Sequence, residues 1–346
     1  MTGDFNDFLK KYDYELPKSL VAQKPASPRD MAKLLIYNRQ TNRIYCDRFI
    51  NLTRYLPKNS VLVFNDTKVL PARISVKKET GGKAGIFYLK TDGDLIKAMT
   101  DRNLKINSRV YIKAKLYFTV ESKEGKYFFL RPSFGAKKIY PVLKKYGTTP
   151  IPPYIKNSPL SEQKLREKYQ AVFAKIGGAV AAPTASLHFT NRLLKKLKKS
   201  GIAVKFLTLH VNLGTFAPLT EGQLESGKLH EEEFLISESA ADFLNRAKKG
   251  GRKIIAVGTT AARALESAAD KKGKLSAGSG KTDIFIKEGH RFKFIDGLIT
   301  NFHVPKSSLL MLAAALISRE KILELYQEAI IKKFKFFSFG DGMLIF

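Results

Sequence analysis

The chain has one cysteine, no tryptophan, five histidines and about half as many acidic as basic residues. Cys46 alone excludes an internal disulfide and any cysteine-based metal cage, and it fits a reducing compartment, the cytoplasm. No run of ~18 apolar residues occurs, so nothing reads as a membrane span. The opening MTGDFNDFLKKYDYEL is too acidic and polar for a signal peptide. No internal repeat is visible. The acidic deficit leaves a formal net charge of +30, from 61 Lys and Arg against 31 Asp and Glu. A field of that sign attracts polyanions, speeds their association and disfavours a basic partner. Most of the cations are lysines scattered along the chain, which a lysine-rich proteome would also produce.

What is present is a globular composition. With 346 residues, 44% of them hydrophobic, the chain can bury a sizeable core and normally makes two domains. Residues 12–30 read as a short helical turn and an irregular, proline-rich segment. LLIYNRQTNRIYCDRF reads as a hairpin, and SVLVFNDTKVLPAR as a buried strand ending at Asn65-Asp66-Thr67, residues that favour turns. From Ile74 to Tyr146 short alternating runs are separated by glycines, which predicts an all-β unit without a helix. TTPIPPYI is a proline-stiffened return, and Lys164 to Ala174 reads as a helix. Beyond residue 217, helix and strand alternate. Glu238–Lys249 is a helix capped by Ser237, RKIIAVG a buried strand, and TTAARALESAAD the helix leaving it. Residues 271–281 read as a flexible loop, TDIFI and RFKFIDGLITNF as strands, and Ser307 to about Phe334 as one long helix. The expected organisation is a large α/β unit, 1–73 with 147–346, and a small all-β unit inserted at 74–146.

Chemistry concentrates in a few junctions. Small residues run from Gly177 to Ala185, a composition that lets backbone approach a ligand closely. His188-Phe189-Thr190 closes that loop, Thr190 caps a basic helix that stops at Gly201, and the next strand carries His210 and turns at Gly214. Gly258-Thr259-Thr260 stands where a buried strand becomes a helix, so free N–H groups and two hydroxyls suit an anionic or hydroxyl-rich ligand. An ordinary N-cap would look the same. Arg263 and Glu266 lie three apart on that helix and share a side, as a surface ion pair or as pocket lining. Thr300 to Lys306 puts a polar cluster, His303 included, into otherwise buried sequence, where it must find partners. Asn65-Asp66-Thr67 and Gly340-Asp341-Gly342 are further strand–turn junctions, explicable by turn chemistry alone. His230 in KLHEEEF matches no standard zinc spacing, so no metal is expected.

These segments carry a resemblance. GGAVAAPTASLHFT and TLHVNLGTF, with YELPKSLVAQKPASPRD, LVFNDTKVLPAR, TPIPPYI, KYQAVFA, IIAVGTTAARALES, TDIFI, LITNFHVPKSSLLML and FSFGDGMLI, resemble the S-adenosylmethionine:tRNA ribosyltransferase-isomerases of queuosine biosynthesis. So many long blocks in order are specific; only about 74–146 matches weakly. The resemblance implies a large α/β domain built on a β-barrel flanked by helices, plus a small all-β domain. It implies transfer of the ribosyl part of S-adenosylmethionine to 7-aminomethyl-7-deazaguanine in tRNA, giving epoxyqueuosine, adenine and methionine. The first step would remove a proton from the carbon beside the sulfonium. A neutral histidine suits that task, and His188, His210 and His303 are the candidates, the first two preferred. The substrate's own amine is the alternative base. Glu266, Asp66 and Asp341 are candidates to hold that amine or the ribose hydroxyls. Ala179, Thr184, Gly258, Thr259, Thr260 and Arg263 are expected toward S-adenosylmethionine; Asn65, Asp66, Arg73, Thr300, Asn301 and Asp341 toward the tRNA base.

The chain departs from common family patterns at Lys68, Ser186 and Ala261-Ala262, and it lacks the tryptophan frequent in the β-domain. A cytoplasmic monomer acting on tRNA, with no membrane, metal or obligate protein partner, is expected. A non-catalytic basic RNA-binding protein would explain the charge without the histidines. A metal-free hydrolase or isomerase of a small substrate would explain the histidines without the charge.

Overall fold

The computed structural model describes residues 2–212 and 218–346, so the turn expected at Gly214 lies outside the described residues. Helix α1 (Thr2–Lys10) leads through two single 3-10 turns to the hairpin β1 (Lys33–Asn38) and β2 (Arg43–Arg48). Strands β3 (Val61–Asn65) and β4 (Thr67–Val69) follow, broken at Asp66. Next come β5 (Arg73–Lys78), β6 (Lys83–Asp92), β7 (Leu95–Thr100), β8 (Arg109–Lys113), β9 (Leu116–Glu124) and β10 (Tyr127–Pro132), then α2 (Ile139–Tyr146). The chain continues through α3 (Glu162–Lys168), β11 (Ile176–Ala179), α4 (Asn191–Lys199), β12 (Ala203–Leu209), α5 (Glu221–Ser226) and β13 (Lys228–Ile236). It ends with α6 (Glu238–Lys249), β14 (Ile254–Val257), α7 (Thr259–Ala268), β15 (Gly278–Ile284), β16 (Gly297–Asn301), α8 (Ser308–Ile317), α9 (Arg319–Ile331) and β17 (Gly342–Ile345).

Nine strands form one sheet in the order β15-β13-β12-β3-β14-β16-β17-β1-β2. Its centre is parallel: β12 and β14 flank β3, and β16 runs beside β14. VLVFN, IIAV, GLITN and GMLI are buried at every position, as strands covered on both faces must be. In register, Val257 lies opposite both Phe64 and Ile299. The next residues, Asn65, Gly258 and Thr300, therefore share one row at the carboxyl ends of three parallel strands. Open α/β sheets place ligands at such an edge.

The closed barrel is the separate unit β10-β7-β6-β5-β8-β9, while the large sheet runs open between the β15 and β2 edges. Alternation builds the barrel. Ile86, Tyr88, Ile96, Ala98, Phe118, Val120, Phe128 and Leu130 point inward and are buried, and the residues between them face out.

Several elements differ from the sequence reading. A helix does follow the barrel, because IYPVLKKY puts Ile139, Val142 and Leu143 on one face against the barrel core. The helix expected over 164–174 spans only Glu162–Lys168, capped by Ser161. The long C-terminal helix is two helices, broken at Ser318, whose φ is 110° and whose hydroxyl caps α9. Residues 278–281 are strand rather than loop, continuous with the first residues of TDIFI as Gly278–Ile284, and of RFKFIDGLITNF only Gly297–Asn301 is strand.

Candidate active site

A cleft opens at the shared row of strand ends. It is lined by Ala182 to Ala185 before α4, by Gly258 to Thr260 where β14 enters α7, and by Thr300 to Val304 after β16. Tyr154, Val211, Leu309, Phe337 and Ser338 complete the lining.

Each wall has a local cause. Gly258 has φ +93°, a conformation L side chains rarely adopt, and it turns the chain from strand into helix without a side-chain cap. The first helical bond runs from the Ala262 N–H to the Gly258 carbonyl. The amides of Thr259, Thr260 and Ala261 thus have no helical partner, and the positive end of α7 sits at the cleft. Asn301, 2% exposed, donates from Nδ2 to the carbonyls of Phe337 (3.1 Å) and Asp341 (3.4 Å). Its Oδ1 is buried and has no hydrogen-bond partner among the described residues. One of the two carbonyls it holds belongs to Phe337, whose φ of 71° is uncommon for a bulky residue. Across the mouth, Tyr154 Oη and Ser338 Oγ lie 2.6 Å apart, and burial pushes the phenol up to about 12.

The three candidate histidines occupy different places. His303 lines the cleft, its Nε2 2.8 Å from Thr300 Oγ1. Its backbone is fixed by Tyr326, whose oxygen accepts from the His303 N–H at 2.9 Å, and by Tyr14, which donates to its carbonyl. Burial lowers this imidazole to about 3. His188 lies behind the cleft, stacked on Phe49 with centroids 4.1 Å apart, and its Nε2 is 3.3 Å from Asn301 Nδ2. Burial, and then the charge of Arg29, lowers it to about 3 as well. His210 is half-buried against the parallel pair β4–β11, its Nδ1 2.9 Å from Thr67 Oγ1. A Cβ on Gly178 would come within 2.6 Å of its ring. Burial lowers its pKa despite Glu233 and Asp66 nearby.

Among the other candidates, Thr184, Gly258, Thr259, Thr260, Thr300 and Asn301 line the cleft. Ala179 is buried in the core. Asn65 sits just behind the cleft, clasping the Leu209 amide and carbonyl and reaching Thr260 Oγ1 at 3.3 Å. Asp66 accepts from the Thr208 hydroxyl at 2.6 Å. Arg73 is exposed on the barrel, facing Asp101 at 3.9 Å. Arg263 and Glu266 do not pair. Arg263 meets Glu232 at 2.7 Å, and both are almost wholly buried. Glu266 accepts from the amides of Lys293, Phe294 and Ile295 and thereby holds the segment before β16. Burial pushes its carboxyl up, but His290 and these three amides outweigh that and leave it below the usual range. Asp341 joins the Lys33 and Lys335 amides; burial raises its pKa more than those bonds lower it.

The sequence reading did not single out Tyr154, Phe337 or Ser338. All three lie in quoted blocks, TPIPPYI and FSFGDGMLI, where the unusual density of proline and aromatic residues was the available signal. No group of three or more His, Cys, Asp or Glu able to hold a metal ion occurs among the described residues.

A family model described as queuosine biosynthesis protein matches residues 9–345. The chain belongs to the queuosine biosynthesis family. It is 44% identical over 351 residues to the S-adenosylmethionine:tRNA ribosyltransferase-isomerase of Fusobacterium nucleatum, covering 98% of this chain and 97% of that protein. It is 42% identical over 343 residues to the enzyme of the same name from Syntrophotalea carbinolica, covering 97% and 99%. The crystal structure of S-adenosylmethionine tRNA ribosyltransferase from Thermotoga maritima is similar at 30% identity, with a TM-score of 0.56 and coverage of 97% of this chain and all of that one. Every wall of the cleft falls inside the span matched by the queuosine family.

Proposed function

We propose that this protein is an S-adenosylmethionine:tRNA ribosyltransferase-isomerase, with 7-aminomethyl-7-deazaguanine in tRNA as acceptor and epoxyqueuosine as product. The observation that carries the reading is the cleft at the carboxyl ends of β3, β14 and β16. It joins the uncapped start of α7 to a buried acceptor, Asn301 Oδ1, without a partner among the described residues. An amino acid moiety presents both complements: its carboxylate suits the amides of Thr259 to Ala261, and its ammonium suits Asn301 Oδ1. The residues present therefore fit the methionine end of S-adenosylmethionine, which when bound supplies the activating positive sulfur. Apolar Ala182, Val211, Phe302 and Leu309 keep the remaining walls poor in water.

His303 is the histidine placed to meet a ligand. A ring held neutral down to about pH 3 accepts a hydrogen bond well but is a weak sink for a proton. We assign it an orienting role, with Thr300 fixing the ring, and leave the proton to the amine that the substrate brings. His188 holds Asn301 from behind. The barrel unit over 74–146 and the basic face of α4 lie outside the cleft and are assigned to RNA. On that helix Arg192, Lys195, Lys196 and Lys199 line one shallow depression. The protein is proposed to work as a cytoplasmic monomer without a metal.

Calorimetric titration with S-adenosylmethionine, and mass-spectrometric detection of epoxyqueuosine in precursor tRNA, test the proposal. Binding and product are expected, turnover should survive chelation, and Asn301→Ala should weaken S-adenosylmethionine binding by about tenfold to a hundredfold, as for one hydrogen bond to a charged group. A protein that neither binds S-adenosylmethionine nor forms the modified base overturns the reading.

A further inference from the structure

The outer surface of the barrel is unusual in what it exposes. Inward positions of β10 are Phe128 and Leu130, so Tyr127 and Phe129 face out, both half-buried. Phe129 stands directly opposite Lys97 of β7. The Lys97 ammonium lies 4.3 Å from the Tyr127 ring centroid and 5.5 Å from that of Phe129. On the adjoining hairpin the pattern recurs. Tyr111 and Tyr117 are cross-strand partners with centroids 5.5 Å apart, and the Arg109 guanidinium is 5.0 Å from Tyr117. Residues 74–146 carry 17 Lys and Arg against 6 Asp and Glu. An outward surface of aromatic rings interleaved with cations answers the two chemistries of unpaired nucleic acid, base faces and phosphates.

From this placement, and resting on the tRNA reading above, we infer that the outer face of β10 and β7 is a stacking platform for unpaired bases of the RNA substrate. An ammonium over an exposed ring is worth about 0.5–1 kcal/mol, whereas a base stacked on a ring is worth about 1–3 kcal/mol. A base therefore displaces Lys97 from Tyr127, and the released ammonium meets the phosphate that arrives with the base. The rings supply tolerance of base identity. Lys97 and Arg109 supply attraction.

The test compares two probes on the full-length protein by fluorescence anisotropy: an anticodon stem-loop RNA and a blunt RNA duplex of equal nucleotide count. Tyr127→Leu with Phe129→Leu keeps outward apolar volume and strand while removing the ring faces. This double variant should bind the stem-loop at least about tenfold more weakly and the duplex almost unchanged. Tyr127→Phe should bind like the parent. Lys97→Ala should weaken both probes and reduce the salt slope by about one. Unchanged stem-loop affinity in the double variant overturns the platform, as does an equal loss for both probes. A change in oligomeric state by light scattering would instead make this face a contact between copies, and the inference would be wrong. If the parent protein binds neither RNA, the tRNA reading fails and the platform with it. Parent binding with a silent double variant removes the platform alone.

Discussion

At the scale of single residues, the histidines show how burial decides chemistry. The three candidates stand in three different family blocks, and the sequence ranks them by the oddness of their neighbours. The structure separates them by depth. His188 is a neutral ring stacked on Phe49 and bonded to Asn301, and His303 is a neutral ring at the cleft wall. Both have folded pKa values near 3, well below the ordinary value of 6.5. The unfolded chain therefore takes up protons below about pH 6.5 that the folded chain refuses. Each ring's contribution to stability is full above that pH and is lost as pH falls toward 3, at about 1.4 kcal/mol per unit per ring. Between pH 6 and 5 few carboxyls titrate, so this window isolates the histidines. Urea unfolding of His188→Gln should show a shallower fall over this window than the parent, by about 1 kcal/mol. Equal slopes would mean that His188 is not held neutral. The same depression bears on catalysis: kcat should show no limb near pH 6.5 that vanishes in His303→Ala. Such a limb would make His303 the base after all.

Elements explain which parts of the site were legible. The β14–α7 junction was, because a fully apolar strand, a glycine and two threonines fix both the turn and the uncapped helix start. Glu266 has other partners than its spacing suggests. Three residues from Arg263 on one helix, it looked like that residue's partner, yet each carboxylate or guanidinium found a group remote in sequence: Glu232 for Arg263, and amides 293 to 295 for Glu266. Helical spacing reports which side a residue faces, not what the rest of the fold brings there. Likewise α8 and α9 read as one helix, since apolar periodicity continues through Ser318 and only its φ breaks the run. A pair of substitutions separates the two roles carried by α7. Gly258→Ala meets no close atom, Thr260 Oγ1 being 3.6 Å away, but it forces an L residue to φ +93°. The strain, about 1–3 kcal/mol, falls on the helix start, so S-adenosylmethionine affinity should drop more than the melting temperature. Glu266→Gln leaves the helix start alone and weakens the anchor of the segment before β16, so melting should fall by several degrees with affinity nearly intact. Parallel losses in both variants would show that α7 acts only as scaffold.

Over the whole molecule, charge and architecture divide the labour. The apolar and small-residue blocks collapse into a sheet whose carboxyl edge makes one cleft, and that much follows from pattern, because buried parallel strands read as continuous apolar runs. Most of the +30 charge has no pattern, since lysines are spread along the chain, and the basic helix after Thr190 is the cluster that the sequence does show. Arg192, Lys195, Lys196 and Lys199 recur at three- and four-residue spacing, so α4 turns them to one face while Leu193 and Leu197 face the core. Arg192 is partly committed, since it bonds buried Asp30 at 2.8 Å, and Lys196 reaches the Ile50 carbonyl at 2.8 Å. Lys195 and Lys199 are the cations of this face for which phosphate is the natural partner. A protein that neutralises several phosphates releases their counterions, so log Kd for tRNA should rise linearly with log salt. Lys195→Ala with Lys199→Ala should reduce that slope by about one to two and weaken binding of different tRNAs alike. S-adenosylmethionine affinity should not change, since neither lysine lines the cleft. A tRNA affinity that is flat across the salt titration would remove charge as the source of RNA binding. A double variant with the parent's slope would move the phosphate contacts off α4.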